Sequence, residues 1–475
     1  MMCKVTFLIT HSRYTKSPFY GRMKTNYMDR DFLRRVAALC IPMALQNLIN
    51  TGVMAADVFM IGRVGENVLS GASLAGQIFF ILNLILFGVC SGASVLIAQY
   101  WGKQDLNTIE QVAGIAIRIT VSTAVAFTIV TLAIPQMLMR IFTSDPEVIG
   151  YGAQYLRIIA LTYPVVAFVS TYLMLIKNIE RVVISTIVYL ISLCVNICMN
   201  ALLIYGLCGF PALGIRGAAI ATSIARLTEL AITLWYARFR NSDMKVRLRY
   251  VLHTEMPGLM GDFLKYSLPV IINEMLWGLA YSANAAIIGH LGSNAVAAQS
   301  VAMVTRQLAT VVTFGISGAT AIMIGKEIGF GDIKRAEQYG KNFVILSIIF
   351  GCIGALTILA ARPFIIAGMG FSDETARLLH IFLFVMSYYC IMQSLNTTLI
   401  VGVFRAGGDT KFGLYMDTGT MWGVSIPLGC IAAFVLHLPP EIVFIILMSD
   451  EILKVPLALA RYRKKLWLKN VTRTA

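Results

Sequence analysis

Apolar runs of about twenty residues, long enough to cross a bilayer as helices, recur along the whole chain. Twelve are expected, near 36–62, 68–98, 110–137, 151–175, 183–204, 218–238, 267–289, 296–325, 341–361, 376–403, 412–435 and 441–460. Short polar or glycine-bearing breaks separate them. The pattern also repeats itself. Ile41 to Ala75 reads again from Leu268 to Ala302 at an offset of 227 residues, with Pro42 on Pro269, Gly62 on Gly289 and Asn67 on Asn294. The register holds to Gly102 and Asp105, which meet Gly329 and Asp332. It then moves to 228, where Asp145 meets Asp373 and Lys177 meets Arg405. An offset of half the chain is a duplication. Six spans per copy is an even number, so both copies enter the membrane in the same direction. The fold class expected is an all-α polytopic membrane protein, with twelve transmembrane helices in two parallel six-helix repeats.

Composition agrees. The chain has 475 residues, 58% of them hydrophobic and 13% charged, against about 25% charged in soluble proteins. A net charge of +15 raises the question of nucleic acid, and the placement of the charge excludes it. With the N-terminus inside, the cytoplasmic segments hold 29 of the 39 Lys and Arg, Lys177 and Arg405 among them. Outer loops hold only Arg63, Arg140, Arg216 and Arg362. That asymmetry places both termini in the cytoplasm. The expected organisation is a basic N-terminal segment 1–35, a first lobe 36–238, a cytoplasmic linker 239–264, a second lobe 265–460 and a basic tail 461–475. Met1, Met23 and Met28 are all candidate starts. Trp467 in the tail suits the inner membrane surface. The nine cysteines are odd in number and form no C-x-x-C, so neither a disulfide framework nor a zinc site is expected. No phosphate-binding glycine loop or hydrolase motif occurs, and the chain is read as a non-enzyme without a cofactor.

Local signals qualify the spans. Pro42 should loosen span one by removing a backbone hydrogen bond. Span two is expected to break near Gly88 and Gly92, whose G-x-x-x-G spacing also lets helices approach closely. Thr143–Glu147 reads as a cap for span four.

Ionisable groups inside spans carry the chemistry, because each costs roughly 2.5–3.5 kcal/mol on insertion scales. Asp57 stands alone in span one, and its copy is Asn284. Asn196 and Asn200 lie at i and i+4 on span five, and Thr222 lies one turn into span six. Arg226 and Glu229, three apart, read as a structural pair. In the second copy, Glu274, Arg306, Asp417, Asp450, Glu451 and Lys454 are expected to gather on a cavity wall. Lys454 can pair with Asp450 or Glu451 but cannot neutralise both, which leaves one acid for Arg306 or a ligand. The cavity is expected to be lined by spans one, two, seven and eight through Gln46, Asn47, Asn50, Asn273, Glu274, Trp277, Tyr281 and Gln299. Acids and aromatic faces there favour a lipophilic cation.

The duplicated six-span plan resembles the multidrug and toxic compound extrusion (MATE) family of cation-coupled antiporters. So do P-x14-D-x3-I-G-x-x-G on span one, N-x3-N on span five, GIRGAAIAT on span six and R-A-G-G-D-T-K after span ten. The likeness covers residues 30 to 470. It implies two six-helix lobes in a V around a central cavity. It also implies a cation site in which Asp57 is the acid, Asn196 the asparagine and Thr222 the threonine. Asn200 stands where members of that branch often have a second acid. Another branch uses second-lobe acids, a role open to Glu274 with Asp417 or Asp450. The expected activity is export of amphiphilic, cationic organic compounds across the inner membrane, by a monomer, driven by H⁺ or Na⁺. Asp57 suits either ion, the only metal expected being Na⁺. A flippase for lipid-linked oligosaccharide is the rival, disfavoured because the central spans offer more acids than bases.

Overall fold

The structure is a computed structural model that describes residues 29–241 and 243–473. Met1, Met23, Met28 and the rest of residues 1–28 lie outside the described residues, as do 474–475 at the end of the tail. The described chain is helical. The first lobe is α1 (Arg30–Gly62), α2 (Glu66–Lys103), α3 (Leu106–Ala133), α4 (Pro146–Lys177), α5 (Val183–Tyr205) and α6 (Ile215–Phe239). The second is α7 (Leu259–Gly289), α8 (Ser293–Ala309 and Val311–Phe330), α9 (Ile333–Met369), α10 (Asp373–Phe404), α11 (Thr410–Val435) and α12 (Pro440–Leu447 and Asp450–Arg463). All but α7 and α12 contain a stretch long and apolar enough to cross a membrane. Those two fall short because α7 carries Asn273, Glu274 and Asn284, while α12 is interrupted at Met448–Ser449 just before Asp450, Glu451 and Lys454.

Two expectations about local structure fail. α2 runs unbroken through Gly88 and Gly92, because these glycines face α7 rather than end a helix. A Cβ on Gly88 would lie 2.6 Å from the Ile271 Cα, and one on Gly92 would collide with Ser267. Their missing side chains let the lobes touch. Trp467 is wholly buried and stacks on Tyr462 at 5.7 Å instead of lying at a lipid surface. α1 continues through Pro42, whose carbonyl accepts from Thr186 Oγ1 at 2.9 Å. Asp145 caps α4 by accepting from the backbone N–H of Glu147 and Val148, at 2.9 and 3.4 Å.

The duplication shows in paired details. Asp105 and Asp332 each cap the helix that follows. Asn67 donates to Glu147 at 2.8 Å in one lobe, and Asn294 to Glu374 at 2.7 Å in the other.

The lobes meet through α1, α2, α7 and α8, and they exchange helix ends. The start of α1, with Phe32, Val36 and Leu39, packs into the second lobe's core. The start of α7, with Leu259 and Phe263, packs into the first lobe's core. Both exchanges occur at the end of the molecule that carries residues 243–258 and the described part of the tail, here called the basic end. There Gln99, wholly buried, donates to the carbonyls of Ala406 and Lys469 at 2.8 and 3.0 Å and accepts from the Val471 N–H at 2.8 Å. Lys326 pairs with Glu180 at 2.7 Å, and Arg473 reaches Asp262 at 2.6 Å while its carbonyl accepts from Lys103. These contacts close the basic end.

Candidate functional site

Above that closure lies a cavity of about 830 Å³. Its wall is built by α1, α2, α4, α5 and α6, and on the far side by α8 and α10. Much of the wall is apolar, with Phe79, Phe80, Phe87 and Phe314.

One polar stripe runs behind it, meeting the cavity at Asp57, Ser192 and Thr222. Ser192, Asn196 and Asn200 recur every four residues on α5, so they share a face, and all three are buried. Asn200 Nδ2 donates to Asp57 Oδ1 at 2.6 Å and to Asn196 Oδ1 at 3.1 Å. Asn196 Nδ2 donates to Thr222 Oγ1 at 3.4 Å. The four first-lobe residues singled out by sequence thus form one chain of side chains joining α1, α5 and α6. Asn200 Oδ1 is buried with no hydrogen-bond partner. An orphan acceptor beside a carboxylate is a place for a proton donor or a small cation. Arg226 pairs with Glu229 at 2.7 Å, and Ser192 donates to the same carboxylate at 2.6 Å.

Of the eight residues expected to line the cavity, three do. Gln46, Asn47 and Asn50 line it. Asn273, Glu274, Trp277, Tyr281 and Gln299 do not, because α7 lies flat against α2 and turns its polar face away from the cavity. Trp277 and Tyr281 stack at 6.1 Å and border a separate pocket of about 30 Å³ with Arg306 and Asp450.

The charge balance also differs from expectation. The wall carries Asp57 and Glu229 against Lys177, Arg226 and Arg405, so acids are not in excess. Glu229 holds Arg226, and Glu274 holds Arg405 at 2.7 Å. Among the described residues, Asp57 and Lys177 are the wall's two charges with no ion-pair partner. The sequence reading places Lys177 and Arg405 among the loop cations, although the repeat aligns them at the ends of spans four and ten. A cation kept at the same span end in both copies is the signal that finds them.

In the second lobe, Lys454 Nζ is buried among three carboxylates, Asp450 at 2.9 Å, Glu451 at 3.1 Å and Asp417 at 3.2 Å. Asn273 donates to Asp417 at 2.9 Å, and Asn396 to Glu451 at 2.7 Å. Four of the six residues expected to gather on a cavity wall do come together, but away from the central cavity's wall, and two stand apart. Glu274 faces Arg405, and Arg306 donates to Gln393 at 2.7 Å rather than to an acid. The lysine serves all three acids because α11 brings Asp417 to the α12 helical turn that already places Asp450 and Glu451 at i−4 and i−3.

Comparison with known proteins puts this geometry in context. The family model MatE matches residues 42–202 and 269–431, one match per repeat. The chain is 26% identical over 410 residues to the multidrug resistance protein NorM of Burkholderia vietnamiensis, covering 84% of this chain and 86% of that one. It is 24% identical over 408 residues to the "Probable multidrug resistance protein YoeA" of Bacillus subtilis (strain 168), covering 85% and 86%. Its fold superposes on the crystal structure of an aspartate-to-asparagine mutant of the Vibrio cholerae MATE transporter VcmN with a TM-score of 0.83 at 18% identity, covering 92% and 98%.

Proposed function

The chain belongs to the MatE family, and from that premise we propose that it is a cation-coupled antiporter that exports amphiphilic, cationic organic compounds across the inner membrane. The observation that carries the reading is Asp57: an acid on the cavity wall, held by Asn200, with no ion-pair partner among the described residues. A carboxylate so placed takes up H⁺, or takes up Na⁺ with the oxygens of Asn196, Asn200 and Thr222. Loading changes the charge at the cavity wall, so loaded and empty sites favour different lobe arrangements. One charge crossing 100 mV releases about 2.3 kcal/mol, enough to drive uphill export when each cargo is matched to an ion.

The basic end is assigned to the cytoplasm by the distribution of Lys and Arg. The closed basic end then makes this an outward-open arrangement. Residues 36–238 and 265–460 are the bodies that rock, with 239–264 joining them. The cluster around Lys454 is a second candidate for ion uptake, since one ammonium cannot balance three carboxylates. A flippase is the weaker reading, because a diphosphate calls for several free cations and Lys177 is the cavity wall's one lysine or arginine without an ion-pair partner among the described residues.

The test is export of a fluorescent lipophilic cation from cells that make the protein. Expression should lower accumulation of the dye, and a protonophore or removal of sodium should restore it. Export that persists with both ion gradients collapsed would overturn the antiport reading.

A further inference from the structure

We propose that the floor of the central cavity is an anion subsite, formed by Lys177 and Arg405, that takes the carboxylate or phosphate monoester of an amphiphilic cargo. The inference rests on the reading that this cavity holds cargo, and it adds a charge class that the acid of α1 does not serve.

Arg405 and the end of α4 that carries Lys177 reach the same part of α2 from opposite lobes, and both cations line the cavity. Arg405 Nη1 donates to Ser91 Oγ at 2.9 Å. Asn178, next to Lys177, donates to Ser94 Oγ at 2.8 Å, one turn further along α2. Internal repetition accounts for the placement: Lys177 ends α4 as Arg405 follows the end of α10, so the pseudo-twofold brings both to the central floor. The last turns of α10, Thr398–Phe404, are wound as π-helix just before Arg405, a distortion that recurs at functional sites.

The floor is not balanced from within. Arg405 spends two of its donors on Ser91 and Glu274, out of the five a guanidinium carries. Lys177 lines the cavity, is half-buried, and has neither an ion pair nor a hydrogen bond among the described residues. Glu180, the nearest acid along the chain, is engaged by Lys326. An ammonium held partly out of water without a partner is costly, and an anionic head would satisfy it. Phe87 and Phe314, both exposed to the cavity, offer apolar surface for the rest of such a molecule. Asp57 lies near the far end of α1 and Lys177 at the basic end of α4, so one cargo can meet both charges with opposite ends.

Binding of a matched pair of probes tests this: 11-(dansylamino)undecanoic acid and its primary amide, titrated by fluorescence onto the purified full chain in a neutral detergent. The acid should bind about tenfold more tightly than the amide, as expected for one charge-assisted hydrogen bond. Lys177→Gln should bring the ratio close to one, and Lys177→Arg should keep it. Retained amide binding by Lys177→Gln shows that the variant is folded. Equal binding of acid and amide by the parent protein, or an unchanged ratio in Lys177→Gln, would overturn the anion subsite while leaving the cargo cavity intact. Binding of neither probe would overturn the cargo cavity as well. Displacement of the acid by phosphatidylglycerol but not by phosphatidylcholine would overturn the cargo assignment in favour of a lipid headgroup.

Discussion

Gln99→Ala should open the basic end. Gln99 is wholly buried and makes three hydrogen bonds across the lobe interface, to Ala406, Lys469 and Val471. None of them holds the first lobe together internally. Each is worth about 0.5–1.5 kcal/mol net, so the substitution removes roughly 1.5–4.5 kcal/mol from the closed arrangement alone. At 1.4 kcal/mol per factor of ten, the balance between lobe arrangements moves by roughly one to three orders of magnitude. Arg63 and His290 are exposed and lie just beyond the far ends of α1 and α7, at equivalent places in the repeat. Spin labels at these two sites, with the nine native cysteines replaced, report how far apart those ends stand. The parent should show one dominant long distance by double electron–electron resonance. Gln99→Ala should add or enlarge a shorter population as the far ends approach. A distribution superimposable on the parent's would refute the idea that this residue latches the lobes.

Three other outcomes follow from the same contacts. Lys454→Met leaves Asp417, Asp450 and Glu451 without their cation and should destabilise the protein by about 3–5 kcal/mol, read as a lowered thermal midpoint in detergent; adding Asp450→Asn should restore part of it. Gly92→Leu meets Ser267 with no room to spare, so it should cost about 1–3 kcal/mol of lobe contact and move the spin-label distances in the same direction as Gln99→Ala. Trp277→Ala should leave export of a lipophilic cation near the parental level, since Trp277 borders the small second-lobe pocket and not the central cavity; strong loss of export would reinstate it as a cargo contact.

Much of this architecture is legible in the sequence because a bilayer imposes long apolar helices, and duplication imposes a register. The first-lobe polar chain was legible for a related reason: Asn196 and Asn200 fall on one helical face, and Asp57 has no basic neighbour along its own span. What lies between helices was not legible. Glu274 is expected beside Asp417 and Asp450, but its partner is Arg405, 131 residues away. Arg306 is expected to share the counter-charge of the second lobe, but among the described residues Lys454 is the one cation paired with Asp417, Asp450 and Glu451. Gly88 and Gly92 looked like a break, because one sequence pattern serves both helix interruption and close packing, and only the neighbour α7 separates the two. Lys177 was hidden by its position at a span end, where a cation ordinarily marks the membrane surface.

In the proposed antiport, Asp57 carries the coupling ion. This role is tested most directly in proteoliposomes that hold the purified protein under an imposed proton or sodium gradient, with uptake or release of a fluorescent cation followed against the cargo's own gradient. Asp57→Asn keeps the shape of the side chain and its contact with Asn200 while removing the charge. This variant should assemble normally and move cargo against its gradient no faster than empty liposomes under either ion. Uphill transport by Asp57→Asn at the parental rate would contradict that role.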